Sequence, residues 1–316
     1  MKIAINGSTR LVGVIGWPIE HSLSPAMHNA AYELLGFDWV YLPLPVRDSA
    51  DIPAVVAAVR ALPFVGFNVT MPYKQVMLEL CDEVAAQARL AGAVNTVQVV
   101  DGKLMGYNTD GRGLLESLRD DAGFTPEGKR AVVLGSGGAA GAIVAALVLA
   151  GVAHMTIVSR DPAHADGIIS RLTPHARNTE LVVVSAGEEA GPLVKAADLV
   201  INSTPLGMRP GDPMPLQPEW LHSGQVVSDM IYNPADTPLL RAAAAAGATP
   251  LGGLGMLVAQ GAISLEIWNG DSTISAPRGV MREAAEAALA AEQAAADAAA
   301  ESGDTADDFA ALLAEL

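Results

Sequence analysis

Residues 131–151, AVVLGSGGAAGAIVAALVLAG, join an apolar run (Ala131–Leu134), a glycine-rich turn (Gly135-Ser136-Gly137-Gly138) and an Ala/Val/Leu helix pattern closed by Gly151. That order suits the holding of a dinucleotide pyrophosphate. Glycine tolerates positive φ and lets backbone approach a phosphate closely, while a helix start offers unpaired N–H groups and the positive end of its dipole. Gly135-x-Gly137-x-x-Ala140 is the GxGxxA form of the fingerprint, so Gly135, Ser136, Gly137, Gly138 and Ala139 are candidate phosphate contacts. A second apolar strand, Met155–Val158, follows and ends at Ser159-Arg160-Asp161. An acidic residue at such a strand end binds the ribose hydroxyls of NAD, whereas arginine accepts the extra phosphate of NADP. Arg160 favours NADP, and Asp161 beside it weakens discrimination against NAD.

Two other readings fit the stretch less well. One is an α/β turn without ligand. The other is a membrane span, because Ala131–Ser159 lacks Asp, Glu, Lys and Arg. Glycines near its start would break that span, and the Ala-rich helix left over is too short to cross comfortably.

Other polar groups lie just beyond apolar runs, where open α/β sheets place their ligands. In Gly16–Pro25 (GWPIEHSLSP), Ser22 and Ser24 precede a helix start. Their hydroxyls suit an anion such as a carboxylate, or plain helix capping. Phe67–Lys74 (FNVTMPYK) sets Asn68, Thr70 and Lys74 after a strand. Asn95-Thr96 and Asn108-Thr109-Asp110-Gly111 add amides, hydroxyls and a carboxylate at positions that also suit turns. Tyr232-Asn233-Pro234 and the glycine-led stretch Gly252–Gln260 complete the set.

The elements that must carry these loops alternate. Strands are expected at Leu11–Gly16, Trp39–Leu44 and Phe64–Val69, with helices from Ser24-Pro25 to Gly36, over Ile52–Leu62 and over Glu79–Leu90. Val94–Val100 and Leu104–Tyr107 read as a hairpin turning at Asp101-Gly102. A helix from Gly111 leads to the glycine turn, and further strands fall near Leu181–Val184, Asp198–Ile201 and Val226–Met230. This β–α alternation predicts two α/β units, divided near residue 112, with mostly parallel sheets covered by helices. Ala276 to about Ala300 is a solvated Ala/Glu-rich helix pattern, and residues 291–316 form an acidic, Ala-rich tail expected to fray. Deleting Ala291–Leu316 is expected to leave activity intact.

Composition narrows the function. The 316 residues are 51% hydrophobic and 17% charged, enough for two folded cores. Nine acidic and no basic residues follow Arg282, leaving −7 of the net charge of −16 for the body. No basic face points to nucleic acid. A single Cys81 permits no internal disulfide and fits a reducing compartment, and MKIAINGSTR has no signal-type apolar core, so the expected location is cytoplasmic. His21, His28, His154, His164, His175 and His222 do not fall into a metal-ligand spacing, so no metal is expected.

Taken together, GWPIEHSLSPAMHN, FNVTMPYK, GAVNTV, GYNTDGRG, VLGSGGAAGA, INSTPLGM, DMIYNP and GGLGMLVAQGA resemble the shikimate dehydrogenase family, in order, from about residue 11 to about residue 290. The resemblance implies a substrate-binding domain (1–111, rejoined by returning helices at about 256–290), a Rossmann-like NADP-binding domain (112–255) and a cleft between. It also implies NADPH-dependent, reversible reduction of 3-dehydroshikimate to shikimate. Lys74 and Asp110 would be the catalytic pair beside the reacting oxygen. Ser22 and Ser24 would hold the substrate carboxylate, with Tyr232 nearby, while Thr70, Asn95 and Gln260 would contact ring hydroxyls or orient the pair. Ser159, Arg160, Asp161, Met230 and Gly253 join the glycine turn as cofactor contacts. The family's usual Asn-Arg-Thr is here Ser159-Arg160-Asp161, with His164 in place of a stronger base. Thr70 resembles the shikimate-specific members more than the quinate-oxidising ones. Quinate oxidation with NAD and a non-catalytic ligand-binding regulator are the competing readings; loss of Lys74 or Asp110 would have marked the latter, and both are present. Monomer and homodimer are both compatible with the sequence.

Overall fold

The structure is a computed structural model and describes residues 5–302. Two six-stranded sheets form it, one on each side of residue 112. The first is laid down by β1 (Arg10–Gly16), α1 (Ser24–Leu35), β2 (Trp39–Pro45), α2 (Ile52–Ala61), β3 (Phe64–Val69), α3 (Met77–Leu80), β4 (Glu83–Val84), α4 (Ala86–Ala91), β5 (Thr96–Val100) and β6 (Lys103–Tyr107). Its order is β2-β1-β3-β5-β6-β4. The β5–β6 hairpin turns at Asp101-Gly102 as expected, and it runs antiparallel to β3, so this sheet is mixed.

The expected helix over Glu79–Leu90 is broken into α3, β4 and α4. Sheet pairing outcompetes local helix propensity there: Glu83 and Val84 pair in parallel with Met105 and Gly106. Asp82 anchors the break by accepting from Leu104 N at 2.7 Å.

Helix α5 (Asp110–Ala122) crosses to the second sheet and starts at Asp110, one residue earlier than expected. There follow β7 (Arg130–Leu134), α6 (Gly138–Leu149), β8 (His154–Ser159), α7 (Asp166–Leu172), β9 (Glu180–Ser185), α8 (Gly191–Lys195), β10 (Leu199–Asn202), β11 (Val226–Asp229), α9 (Pro238–Ala245) and β12 (Thr249–Leu251). Every pairing is parallel, in the order β12-β11-β10-β7-β8-β9. The glycine turn lies at the carboxyl end of β7, between two neighbours. The chain then returns: α10 (Gly253–Asn269) packs on α5, and α11 (Arg278–Ser302) packs on α1. Residues 291–302 thus continue a helix where a frayed tail was expected; the rest of that tail, 303–316, lies outside the described residues.

Each sheet has apolar layers on both faces, as strands covered by helices require. Val133, Ile143, Val144, Leu147 and Ile157 anchor the second sheet's core against α5 and α6. Met27, Tyr32, Tyr41, Leu265 and Trp268 anchor a layer where the returning helices complete the first. Among the described residues no helix is long and apolar enough to cross a membrane, and no cluster of metal-ligating side chains occurs.

Candidate active site

Lys74 and Asp110 meet. The loop after β3 carries the lysine and the start of α5 carries the carboxylate, and Lys74 Nζ donates to Asp110 Oδ2 at 2.6 Å. Their side chains are 17% and 7% exposed, so the pair keeps a narrow opening to solvent in an otherwise dry setting. As the first residue of α5, Asp110 sits where the helix dipole favours negative charge. Its other oxygen, Oδ1, accepts from Asn95 Nδ2 at 2.7 Å. One carboxylate oxygen thus faces the ammonium while the other is fixed by a buried amide.

Behind the pair runs a buried polar network. Asn95 Oδ1 accepts from Thr109 N at 2.8 Å and from Thr96 Oγ1 at 3.0 Å. Asn95 Nδ2 also reaches Thr109 Oγ1 at 2.9 Å and Gln260 Oε1 at 3.4 Å. Asn68 Nδ2 lies 3.1 Å from Thr96 Oγ1, Ser264 Oγ and Asn95 O, and Asn68 Oδ1 accepts from Tyr41 Oη at 2.7 Å. The Ser24 side chain sits beside that phenol. Buried polar groups are costly unless satisfied, and these satisfy one another, so the network fixes one geometry around the ion pair. Tyr41 and Ser264 were not singled out in the sequence. Ser264 could have been, because it lies one helical turn beyond Gln260 on the same face of α10.

At the start of α1 the hydroxyls are not consumed by capping. The residue before the helix is Leu23, and no side chain caps it. Ser24 is instead the first helical residue, and Ser22 Oγ receives only a 3.4 Å contact from Ser24 N. Neither hydroxyl therefore caps this helix. Thr70 closes on β1: a Cβ at Gly16 would come 2.2 Å from Thr70 Cγ2. Tyr232, after β11, joins the apolar layer of Ile19 and Leu23. Burial, then the nearby Glu292 carboxylate, pushes its phenol above the usual range.

The glycine turn abuts the lysine. A Cβ on Gly138 would lie 3.8 Å from Lys74 Cβ and 3.7 Å from Ala93 Cβ. Gly135 has φ +109°, and a Cβ there would strike Ser203 Oγ at 2.8 Å. In front of Gly137 a Cβ would meet nothing within 4 Å, so the start of the 12-residue α6 faces open space with its first N–H groups unused by the helix. Ser136 Oγ and Ser159 Oγ lie 2.8 Å apart, tying the turn to the end of β8, where Arg160 is exposed. Asp161 caps the following 3₁₀ turn through Ala163 N at 3.1 Å. Capping is a role that Thr and Asp both fill, which accounts for the acidic residue there. Gly253 N donates to Ile231 O at 3.1 Å, and a Cβ at Gly253 would hit Met230 O at 2.3 Å, so those two candidates share one tight corner. Open space, helix start and exposed guanidinium together fit a dinucleotide phosphate group.

Comparison with known proteins shows the family. A family model described as the shikimate dehydrogenase substrate binding domain matches residues 14–97, and one described as the shikimate 5'-dehydrogenase C-terminal domain matches 253–286. The shikimate dehydrogenase (NADP(+)) of Methanopyrus kandleri is 41% identical over 90% of this chain and 97% of its own length. The shikimate 5-dehydrogenase of Listeria monocytogenes, solved with shikimate and NAD, superposes with a TM-score of 0.81 at 35% identity, covering 90% of this chain and 98% of that one. The Thermus thermophilus enzyme, solved with NADP(H) and shikimate, gives 0.78 at 34% identity, covering 88% and 99%. From its glycine turn to its Lys74–Asp110 pair, this chain belongs to the shikimate dehydrogenase family.

Proposed function

We propose that this chain interconverts shikimate and 3-dehydroshikimate with NADP+ and NADPH. The observation that carries the reading is the Lys74–Asp110 pair standing against the glycine turn, where a bound cofactor and a small ring would meet. Residues on the first sheet and the returning helices form the substrate side, and the all-parallel sheet forms the cofactor side.

When bound, a nicotinamide cofactor would supply or accept the hydride. The chain's own groups manage the proton and the charge. Reduction of a ketone leaves negative charge on its oxygen, which needs a proton or a strong donor in place. Lys74 Nζ provides both, and Asp110, held by Asn95, aims it. In the reverse direction Lys74 takes up the hydroxyl proton. Ser22 and Ser24 hold the carboxylate at the other end of the ring, with the Tyr232 hydroxyl beside them, and Thr70, Asn95 and Gln260 address the ring hydroxyls. Gly135, Ser136, Gly137, Gly138 and Ala139 would cradle the pyrophosphate, and Arg160 would meet the 2′-phosphate.

The test is direct. Purified protein is mixed with shikimate and NADP+, and separately with quinate and NAD+, while the reduced nicotinamide is followed by absorbance. Turnover is expected to be fastest with shikimate and NADP+. A strong preference for quinate or for NAD+ would overturn the specificity, and no reduction with any pair would overturn the activity.

A further inference from the structure

Helix α11 does more than close the first core. Near its start Arg278 pairs with Glu116, and Arg282 Nη2 with Asp121 Oδ1 at 2.9 Å, both partners on α5. Met281 and Ala285 are fully buried in the layer shared with α1, and Ala288 and Leu289 pack at its edge. Positions 278, 282, 285, 289 and 292 recur at spacings of four and three, so they share one face. That face delivers Glu292 to the loop after β11, where Asn233 Nδ2 donates to Glu292 Oε2 at 3.0 Å. The contact joins a helix packed on the first sheet to a loop of the second. The family's C-terminal match ends at residue 286, so Glu292 lies outside it.

We infer that Glu292 is a positioning residue: it holds the Tyr232–Asn233 loop against the substrate side of the cleft and so presets Tyr232 for the substrate carboxylate. The inference rests on the role given to Tyr232 above. It also makes residue 292 a functional part of a segment that the sequence treats as dispensable.

Four full-length variants test it: Glu292→Ala, Glu292→Gln, Asn233→Ala and the double Glu292→Ala/Asn233→Ala. Glu292→Ala is expected to raise the KM for shikimate about three- to tenfold, as loss of one charge-assisted hydrogen bond implies. Its kcat and KM for NADP+ should stay near wild type. Gln keeps an acceptor oxygen and should restore most of the KM. The double variant should be no worse than the worse single one, the mark of a shared contact. A wild-type KM in Glu292→Ala, additive singles, or a fall in kcat accompanied by a rise in both KM values would overturn the inference. Ultraviolet titration of the Tyr232 phenol, isolated by difference against Tyr232→Phe, needs no turnover. Glu292→Gln should lower its pKa, and an unmoved titration would sink the positioning role even if shikimate proved not to be the substrate.

Discussion

At the scale of single residues, the proposed chemistry turns on Lys74 Nζ and the two oxygens of Asp110, of which Oδ2 accepts from the ammonium and Oδ1 from Asn95. With Lys74 as the proposed proton donor, its removal should cost turnover rather than affinity. Lys74→Ala is expected to lower kcat by about two or more orders of magnitude with a small change in KM, the range usual for acid–base groups. Asp110→Asn keeps the shape but loses the charge that aims the ammonium, so the pH dependence of kcat should move as well as its height. Steady-state kinetics across pH checks both, and an unaltered profile in Asp110→Asn would separate the carboxylate from proton transfer. Arg160 and Asp161, as proposed cofactor contacts, should govern a different quantity. Since Asp161 acts as a cap, Asp161→Thr can preserve the turn while deleting a negative charge beside the phosphate site. It should raise kcat/KM for NADP+ several-fold and leave NAD+ nearly unchanged.

Elements explain what was legible and what was not. Glycine at the turn, proline behind the first helix residue and the Asp-Gly hairpin turn are local signals, and the strands and helices they bound stand where the sequence placed them. The broken helix between α3 and α4 was not legible, because Glu83 and Val84 answer to a sheet edge some twenty residues away. Gln260 on α10 was named through the resemblance, but its hydrogen bond with Asn95 was not legible, since a contact that closes over 165 residues leaves no periodic trace. His28 in α1 belongs to this class too. It is fully buried, stacked at 4.5 Å on Tyr41 with Tyr32 and Trp268 around it, and neither ring nitrogen has a partner. Burial lowers its pKa from 6.5 to about 3. The unfolded chain therefore binds a proton that the folded one refuses. Its contribution is fully present above pH 6.5 and is lost as pH falls toward 3, with a slope on the order of 1.4 kcal/mol per pH unit. His28→Phe keeps the stack and removes the titration, so denaturant curves between pH 6.5 and 4 should fall less steeply than wild type. Parallel curves would show that acid acts elsewhere.

At the scale of the whole molecule, two sheets must meet with α4 and α6 close enough for Lys74 to face the glycine turn, and that closeness depends on missing side chains. A Cβ at Gly141 would come 2.3 Å from Ala91 O, and one at Gly111 would come 2.7 Å from Ala142 O. Arg171 on α7 tightens the same seam by donating to Leu90 O at 3.2 Å and Ala91 O at 3.4 Å, at the carboxyl end of α4. Two residues past Ala91 the chain enters Ala93-Val94-Asn95, where Val94 N donates to the Lys74 carbonyl at 2.8 Å. The seam therefore sets the distance between Lys74 and the glycine turn. Gly141→Ala tests this with opposing forces. Alanine in a helix interior is intrinsically better than glycine by about 1 kcal/mol, so propensity alone predicts a more stable protein. The collision with a backbone carbonyl, which cannot rotate away as a side chain could, predicts that α4 and α6 are driven apart. If the seam is as closed in solution as its geometry requires, the variant melts below wild type, its KM for NADP+ rises at least several-fold and kcat falls, because Gly138 and Lys74 separate together. A raised melting temperature with unchanged kinetics would instead show a slack seam, and the placement of Lys74 would then have to come from the substrate-side network alone.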